Sequence, residues 1–254
     1  MPVTIKSARE IELMAEAGRI LEIVHNELRD ALHAGMSTLD IDRLGEEIIR
    51  SYDCIPSFLN YNGYPASICV SLNQEVVHGI PDKHRLIQDG DIVSLDAGVI
   101  YKGYHSDAAR TYGVGEISKE AKNLMQITKE CFFEGIKYAR EGNHLFDISG
   151  AIGRYAEERG YGVVRDLCGH GIGTALHEAP EIPNYEVGRK GVRLRPGMTL
   201  AIEPMINIGT HEVDWLDDDW TVVTRDGSLS AHYENTILIT EGEPRILSLT
   251  CENE

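Results

Sequence analysis

The sequence predicts an α+β fold in which helices cover a central antiparallel sheet. Amphipathic helical patterns alternate along the chain with short strand-like runs of apolar residues. In addition, residues 90–96 faintly resemble residues 196–203, and each segment ends in an acid before a second strand-like run that carries another acid. We therefore expect a single domain over residues 1–254, built from two pseudo-symmetric halves of about 1–115 and about 116–254.

The first half is predicted to begin with two helices. Ser7 and Glu10 form a capping box, which opens a pattern of apolar residues at helical spacing that ends near Gly35. A second helix is expected from about 38 to 50. Residues 68–80 then predict strand and loop, because two short strand-like runs follow one another there.

A strand hairpin is predicted over residues 92–113, with a two-residue turn at 102–103. Alternate side chains of a strand point to opposite faces, so the apolar residues of the first strand face the helices and Asp96 faces away from them. The turn pairs Gly98 with Asp107. This register places Asp96 and Asp107 on the same face as diagonal neighbours.

The second half is predicted to contain helices over about 118–140 and about 147–159, followed mainly by strand and loop. Gly142 and Gly160 lie just past these two patterns, where glycine is typical of a helix C-terminal cap. Further along, small side chains share a face with Glu203, which leaves room for ions beside this carboxylate.

The composition is that of a globular protein, with 42% hydrophobic and 26% charged residues. The net charge is −17 without any block of lysine or arginine. Such a charge argues against a surface for nucleic acid or for anionic membranes. The N-terminal segment lacks the apolar core of a signal peptide, and no apolar run approaches the length of a membrane span. We expect a cytoplasmic protein.

The cysteines support the same compartment. They are odd in number and lack C-x-x-C spacing: Cys54, Cys69, Cys131, Cys168 and Cys251. This pattern predicts free thiols in a reducing environment. Neither Cys69 nor Cys168 lies in a nucleophile elbow, so a cysteine nucleophile is not expected.

A set of carboxylates and one imidazole stands in or beside apolar, strand-like sequence: Asp96, Asp107, Glu203, Glu234 and His170. A single acid in a strand is often a solvated edge residue, but an ordered set of this kind favours a site. A buried carboxylate is costly unless a cation or hydrogen-bond donors meet it, and these runs contain no lysine or arginine except Arg110. The set therefore predicts bound metal.

Ligand number favours two metal ions over one. A catalytic zinc uses about three protein ligands plus water, and this set is larger. Carboxylates can bridge, so the same side chains can serve two divalent ions at about 3.5–4 Å from each other. Oxygen-rich ligation with one imidazole suits manganese, iron, cobalt or zinc. Two such ions activate water and polarise a carbonyl, which is hydrolytic chemistry.

Three histidines accompany the acids. His170 and His177 stand seven residues apart in a glycine-rich segment, and His78 lies earlier in the chain. Histidine titrates near neutrality, so these three residues can supply one metal ligand and two proton-bearing groups. A purely structural, hydrogen-bonding role for His78 and His177 is the alternative.

Six motifs occur in a specific order and spacing: residues 60–65, residues 77–81, Asp96 with Asp107, residues 169–180, residues 202–204 and residues 228–234. With these motifs the chain resembles the type I methionine aminopeptidases, which have the pita-bread metallopeptidase fold. The resemblance extends over about residues 4–249. It implies removal of the N-terminal methionine from peptides and proteins whose second residue is small.

The resemblance implies a role for each matching residue. Two divalent ions (Co, Mn, Fe or Zn) would be held by Asp96, Asp107, His170, Glu203 and Glu234, with Asp107 shared and Glu234 bridging. Glu203 would also move a proton, His177 would stabilise the oxyanion, and His78 would hold the scissile-bond nitrogen. The methionine side chain would lie among Phe58, Tyr61, Tyr64, Cys69 and Trp220. Nascent polypeptide N-termini are the implied partners, and a monomer is the implied state.

Some positions depart from the family pattern. Leu176 stands where relatives often carry phenylalanine, His232 where glutamine is usual, and Asn235 where histidine is common. These differences concern substrate range and rate. Asn73 and Ser230 match positions that hold a monovalent cation in relatives, so the resemblance also implies such an ion.

Two rival functions share this scaffold. Prolidases and Xaa-Pro aminopeptidases resemble the same histidine motif, but they usually carry a large additional N-terminal domain. The first helix is expected at Ser7 here, so we do not expect that domain. A non-catalytic peptide-binding relative would typically lack metal ligands, whereas all five positions are filled in this sequence.

Overall fold

The structure is a computed structural model that describes residues 3–249 of the chain. In this range the α-helices are α1 (Ala8–Ala31), α2 (Thr38–Ser51), α3 (Lys119–Ile136) and α4 (Leu145–Glu157). The strands of the first part are β1 (Ile55–Pro56), β2 (Ile68–Leu72), β3 (Glu75–Val77), β4 (Ile92–Tyr101) and β5 (Tyr104–Gly113). The later strands are β6 (Gly162–Val163), β7 (Gly169–Gly171), β8 (Glu178–Ile182), β9 (Thr199–Ile202), β10 (Met205–Asn207), β11 (Val213–Trp215), β12 (Val222–Thr224), β13 (Ser230–His232), β14 (Asn235–Leu238) and β15 (Arg245–Ile246).

The start of α1 confirms the capping box, because the Ser7 side chain accepts from the Glu10 N–H and the Glu10 carboxylate accepts from the Ser7 N–H. The predicted end near Gly35 is wrong by one turn. Leu32 has an extended backbone, and the Gly35 N–H bonds instead to the Ile87 carbonyl at 2.7 Å. A contact with a distant segment therefore replaces the last helical turn.

The predicted helix from about 38 to 50 is confirmed by α2, which a second capping box opens at Ser37. The predicted end of α3 at 140 is wrong. The helix stops at Ile136, and the Gly142 N–H bonds to the Leu194 carbonyl, so Gly142 is not its cap.

The C-terminal cap predicted for α4 is confirmed. Gly160 has φ +82°, and the N–H of Gly160 and of Tyr161 bond back to Glu157 and Ala156 at 3.0 and 3.2 Å. These two bonds form a Schellman motif, in which glycine tolerates the left-handed backbone.

The hairpin of β4 and β5 has the predicted register. Lys102 and Gly103 both have positive φ, as a tight two-residue hairpin turn requires. Gly98 lies opposite Asp107, so Asp96 and Asp107 share one face of the hairpin. Strands β1 and β2 pair with β4, and α1 packs against β4 and β5.

A second antiparallel sheet has the order β15-β14-β9-β7-β8. It places His170 of β7 opposite Ala201 of β9, next to the end of β9 at Glu203. The two sheets meet where the Glu234 N–H donates to the Ala109 carbonyl at 2.9 Å and the Ala109 N–H donates to the Glu234 carbonyl at 3.4 Å. This junction brings the acidic ends of both strand pairs together.

Apolar cores lie behind both sheets. One core is formed by α1, α2, β2 and β4, with Leu21, Ile49 and Leu95 fully buried. Another lies under α3 and α4, where Phe132 and Leu200 are fully buried. Each sheet therefore has a helix-covered face, as the alternation of apolar residues predicts. Among the described helices, none is long and apolar enough to cross a membrane.

Candidate metal centre and substrate pocket

The structure brings all five predicted ligand side chains to the junction of the two sheets. They come from successive parts of the two sheets: Asp96 from β4, Asp107 from β5, His170 from β7, Glu203 from the residue after β9 and Glu234 from the residue before β14. Asp107, His170 and Glu234 are buried, and ligand atoms of these three lie within 4.8 Å of one another. The predicted cluster therefore exists as a compact group.

The spacing between the imidazole and the carboxylates suits a shared ion. The His170 Nε2 atom lies 3.8 Å from Asp107 Oδ2 and 3.6 Å from Glu203 Oε1. These separations exceed a normal hydrogen bond. Ligand atoms bind zinc at about 2.0–2.2 Å, so two atoms on one ion are separated by at most about 4.4 Å. The measured distances fall inside this limit.

Several carboxylate oxygens of the cluster lack a protein partner. Within residues 3–249, Asp96 Oδ1, Asp107 Oδ1 and Glu234 Oε1 are buried and have no hydrogen bond. An orphaned buried oxygen is costly, and water or a cation is what relieves it. The donor set and its unpaired oxygens thus fit divalent metal.

Burial also works against the charge of these carboxylates. It raises the pKa of Asp96 to about 7. Burial first, and then the neighbouring carboxylates, raise the pKa of Asp107 and of Glu234 well above the ordinary value. Burial and Asp96 do the same to the pKa of Glu203. A bound cation would reverse these shifts, because it favours the charged form.

Neighbouring groups hold the cluster in place. The Thr236 hydroxyl accepts from the Asp107 N–H and donates to the Asp107 carbonyl, both at 2.9 Å. The Asn184 amide donates to the Glu203 carbonyl at 3.0 Å. His170 Nδ1 lies 2.9 Å from the Gly171 carbonyl, which fixes the tautomer and leaves Nε2 free to bind metal.

Sequence reasoning missed Thr236 and Asn184, because neither stands inside a motif. Arg110, the cation expected near Asp107, is directed elsewhere. Its guanidinium donates to the Glu234 carbonyl and to Asn235 Oδ1, the latter at 2.6 Å. Arg110 therefore orders the backbone behind the cluster. In the described chain, none of the clustered carboxylates forms an ion pair with lysine or arginine.

A cavity of about 150 Å³ opens onto the cluster. Its wall contains every residue predicted for the substrate pocket: Phe58, Tyr61, Tyr64, Cys69, His78, His177 and Trp220. Leu176 and Asn62 also line it, and Asn62 had not been predicted. The wall is mainly apolar and aromatic, and its polar groups converge at the end formed by the carboxylates and His170. This arrangement is typical of a site for one apolar side chain.

Two of the histidines that line this cavity pack edge to face against each other. The ring of His177 lies 4.2 Å from the ring of His170, and the Tyr61 hydroxyl lies 2.8 Å from His177 Nδ1. His78 has φ +59°, a strained backbone for a residue other than glycine. Burial lowers the pKa of His78 to about 4 and also lowers the pKa of His177. Both rings are therefore neutral near pH 7.

The thiols show no sign of activation. Cys54, Cys69, Cys131 and Cys168 are free, as predicted, whereas Cys251 lies outside the described residues. Burial raises the pKa of Cys69 well above its ordinary value and raises that of Cys168 to about 11. A thiol with a raised pKa is a poor nucleophile at neutral pH. Asn73 and Ser230 are neighbours, with the Ser230 N–H 2.9 Å from the Asn73 carbonyl.

Helix-covered antiparallel sheets that enclose a carboxylate and imidazole cluster beside an apolar pocket define a class, the metallopeptidases. Residues 12–241 match metallopeptidase family M24. The methionine aminopeptidase of Clostridium acetobutylicum is 54% identical over 98% of this chain and 100% of its own length.

Solved structures of peptidases also match this chain. The crystal structure of the methionine aminopeptidase of Thermotoga maritima matches with a TM-score of 0.96 at 44% identity, covering 98% of this chain and 100% of that one. A Xaa-Pro dipeptidase from Bacillus anthracis matches with a TM-score of 0.77 at 26% identity, and this chain covers 62% of it. The chain belongs to metallopeptidase family M24 and, within it, to the methionine aminopeptidases. The predicted pita-bread fold is confirmed.

Proposed function

We propose that this chain hydrolyses the peptide bond after an N-terminal methionine, using two divalent metal ions, when the second residue is small. One observation carries the proposal: a set of four carboxylates and His170, of which Asp107, His170 and Glu234 are buried, lies at the polar end of an apolar cavity of about 150 Å³. That volume suits a single flexible side chain such as a thioether. The curated relatives of this chain carry the same activity in their names.

The metal site is proposed to consist of Asp96, Asp107, His170, Glu203 and Glu234. Four carboxylates carry a charge that two divalent ions balance, and within residues 3–249 three of their buried oxygens have no hydrogen bond. Bound there, the ions would activate water and polarise the scissile carbonyl. Manganese, iron, cobalt and zinc all suit this donor set.

The remaining chemistry is assigned to side chains of the cavity wall. The Glu203 carboxylate, whose pKa burial raises, is placed to move a proton between water and the leaving amine. Neutral His177 donates to the oxygen that becomes negative in the transition state, since its Nδ1 is already engaged by Tyr61. His78 holds the scissile-bond nitrogen from the Trp220 side of the cavity.

The methionine side chain is proposed to lie among Phe58, Tyr61, Tyr64, Cys69 and Trp220. The rings of Tyr64 and Trp220 pack edge to face with centroids 5.1 Å apart, which makes this wall rigid. A rigid pocket of this size admits one flexible apolar side chain and disfavours longer or charged ones.

The proposal also covers the substrates, the compartment and the oligomeric state. Nascent polypeptide N-termini are the proposed substrates, and the enzyme is proposed to act in the cytoplasm as a monomer, without nucleic-acid or membrane partners. A monovalent cation beside Asn73 and Ser230 stays a prediction. So does the division of a single domain into halves near residue 115.

Release of methionine from the peptide Met-Ala-Ser, with and without a chelator, tests the proposal. We expect release that requires Mn²⁺ or Co²⁺ and that stops on chelation. An Xaa-Pro dipeptide measured in parallel should be cleaved far more slowly. Cleavage of the Xaa-Pro peptide alone would instead support a prolidase-like enzyme. A lack of any cleavage under each divalent metal would support a non-catalytic peptide-binding protein.

A further inference from the structure

His232 is an unusual buried histidine. It ends strand β13, its side chain is 2% exposed, and neither ring nitrogen has a hydrogen-bond partner within residues 3–249. A buried polar side chain without partners calls for a ligand or an ion to satisfy it. His232 has no part in the proposed catalytic chemistry.

The position of the ring relates it to the metal centre. The His232 Nε2 atom lies 3.7 Å from Glu234 Oε2. Ligand atoms of Asp96, His232 and Glu234 lie within 4.8 Å of one another, and all three side chains are buried. This group is separate from the one formed by Asp107, His170 and Glu234, although Glu234 is common to both.

The distance distinguishes a hydrogen bond between His232 and Glu234 from a metal ion bound by both. At 3.7 Å the ring nitrogen and the carboxylate oxygen are too far apart for a hydrogen bond. Two atoms bound to one ion at ordinary ligand distances lie up to about 4.4 Å apart. His170 has the same relation to its carboxylates, at 3.6 and 3.8 Å. His232 thus repeats the geometry of an expected metal ligand.

We propose that His232 is a sixth protein ligand of the metal centre, binding through Nε2 the ion that Asp96 and Glu234 hold. This inference rests on the proposed function, because it requires metal at this site. It gives each of the two metal positions one imidazole, His170 on one side and His232 on the other.

The backbone at His232 has the rigidity that a ligand needs. Strand β13 pairs His232 with Met205 of β10. The Thr111 hydroxyl accepts from the His232 N–H and donates to its carbonyl, both at 2.9 Å. A ligand held on paired strands keeps its orientation better than one on a loop. His232 and Glu234 stand two positions apart, and in extended backbone such residues point to the same side.

A second imidazole has a chemical consequence. Imidazole ligands favour zinc, cobalt and iron over manganese and magnesium, which prefer oxygen. The position held by Asp96, His232 and Glu234 should therefore select these metals more strongly than a position with oxygen ligands alone.

Proton NMR of the Co²⁺-loaded enzyme tests this ligand directly. An imidazole bound to Co²⁺ through Nε2 has a strongly shifted, solvent-exchangeable Nδ1–H resonance. We expect two such resonances in the wild-type protein, one from His170 and one from His232. His232→Gln should lose one resonance, and His170→Gln should lose the other. Calorimetric titration with Co²⁺ should show one of two binding steps weakened at least about 10- to 100-fold in His232→Gln.

His25→Gln is the matched control. His25 is also a buried histidine and lines the same cavity behind the sheet as His232, but its Nε2 bonds to the Ala108 carbonyl at 2.9 Å. This variant should keep both resonances and both binding steps. Circular dichroism of each metal-free variant checks that the fold is retained.

The outcomes separate this inference from the proposed function. Two bound Co²⁺ ions and release of methionine, but a single exchangeable resonance in the wild-type protein, would overturn the His232 ligand alone. Wild-type cobalt affinity and both resonances in His232→Gln would do the same. Failure of the wild-type protein to bind cobalt would overturn the proposed function together with this inference.

Discussion

The Tyr61 hydroxyl and His177 Nδ1 lie 2.8 Å apart, and this contact joins the wall of the proposed substrate pocket to the proposed metal centre. The ring of His177 also packs edge to face against the ring of His170. Tyr61 therefore sets the orientation of His177 and leaves Nε2 as the atom available to substrate.

Tyr61→Phe is expected to lower kcat for Met-Ala-Ser by about 10-fold while changing KM much less, because the ring is retained and only the orientation of His177 is lost. Steady-state kinetics of the purified variant measures both constants. Tyr104→Phe is the control, since it removes a hydroxyl that bonds to Glu10 at 3.0 Å outside the cavity. An unchanged kcat in Tyr61→Phe would show that the contact has no part in turnover.

His177→Ala is expected to lower kcat by about 100- to 1,000-fold, the range found when one donor to a developing oxyanion is removed. Metal binding should persist, because His177 packs against the proposed ligand His170 but is not itself among the proposed ligands. Kinetics and calorimetric metal titration on the same preparation separate these effects. A variant that loses metal as well as activity would place His177 among the ligands instead.

The hairpin of β4 and β5 shows how far the sequence determines the fold. Side-chain alternation and a two-residue turn at Lys102 and Gly103 predict one register, in which Asp96 and Asp107 share a face. The structure has this register and positive φ at both turn residues. The ends of α1 and α3 do not follow from the sequence. They depend on hydrogen bonds from Gly35 and Gly142 to segments distant in sequence, which local periodicity cannot reveal.

The candidate site also has a part that the sequence predicts and a part that it does not. Acids in apolar strands are visible in the sequence, and the structure brings all of them together. The environment of His232 was not visible, because it depends on how Glu234 crosses to the first sheet and bonds to Ala109. Thr236 and Asn184 were missed since a hydroxyl or amide has no sequence pattern until its partner is known.

Leu176→Phe is expected to narrow the substrate pocket. Leu176 is buried and lines a cavity of only about 150 Å³, so a larger ring removes space from the substrate. The ratio of kcat/KM for an ethionyl peptide to that for the methionyl peptide should fall by about 10-fold, as expected when a pocket rejects one methylene. Leu216→Phe, at an exposed position, should leave the ratio unchanged. If Leu176→Phe and Leu216→Phe give the same ratio of kcat/KM values, Leu176 does not line the substrate pocket.

Asp96→Asn is expected to change stability in opposite directions with and without metal. Burial raises the pKa of Asp96 to about 7, whereas the unfolded chain keeps the ordinary value of 3.8. Between these values the folded metal-free protein holds a proton that the unfolded chain has lost. In the metal-free protein, the contribution of Asp96 to the free energy of unfolding therefore falls as pH rises through this window. It is lowest above about pH 7.

Without metal, Asp96→Asn should thus raise Tm relative to wild type at about pH 8, and raise it less at about pH 5. With Mn²⁺ in excess, the wild-type protein should become the more stable one, because metal bound only by the folded state adds about 2.7 kcal/mol at 100 times Kd. Thermal denaturation in chelator or Mn²⁺ measures both differences. Asp217→Asn, an exposed acid, controls for the general loss of negative charge. A lower Tm for Asp96→Asn in chelator at both pH values would show that Asp96 stabilises the fold without an ion, contrary to a metal-binding role.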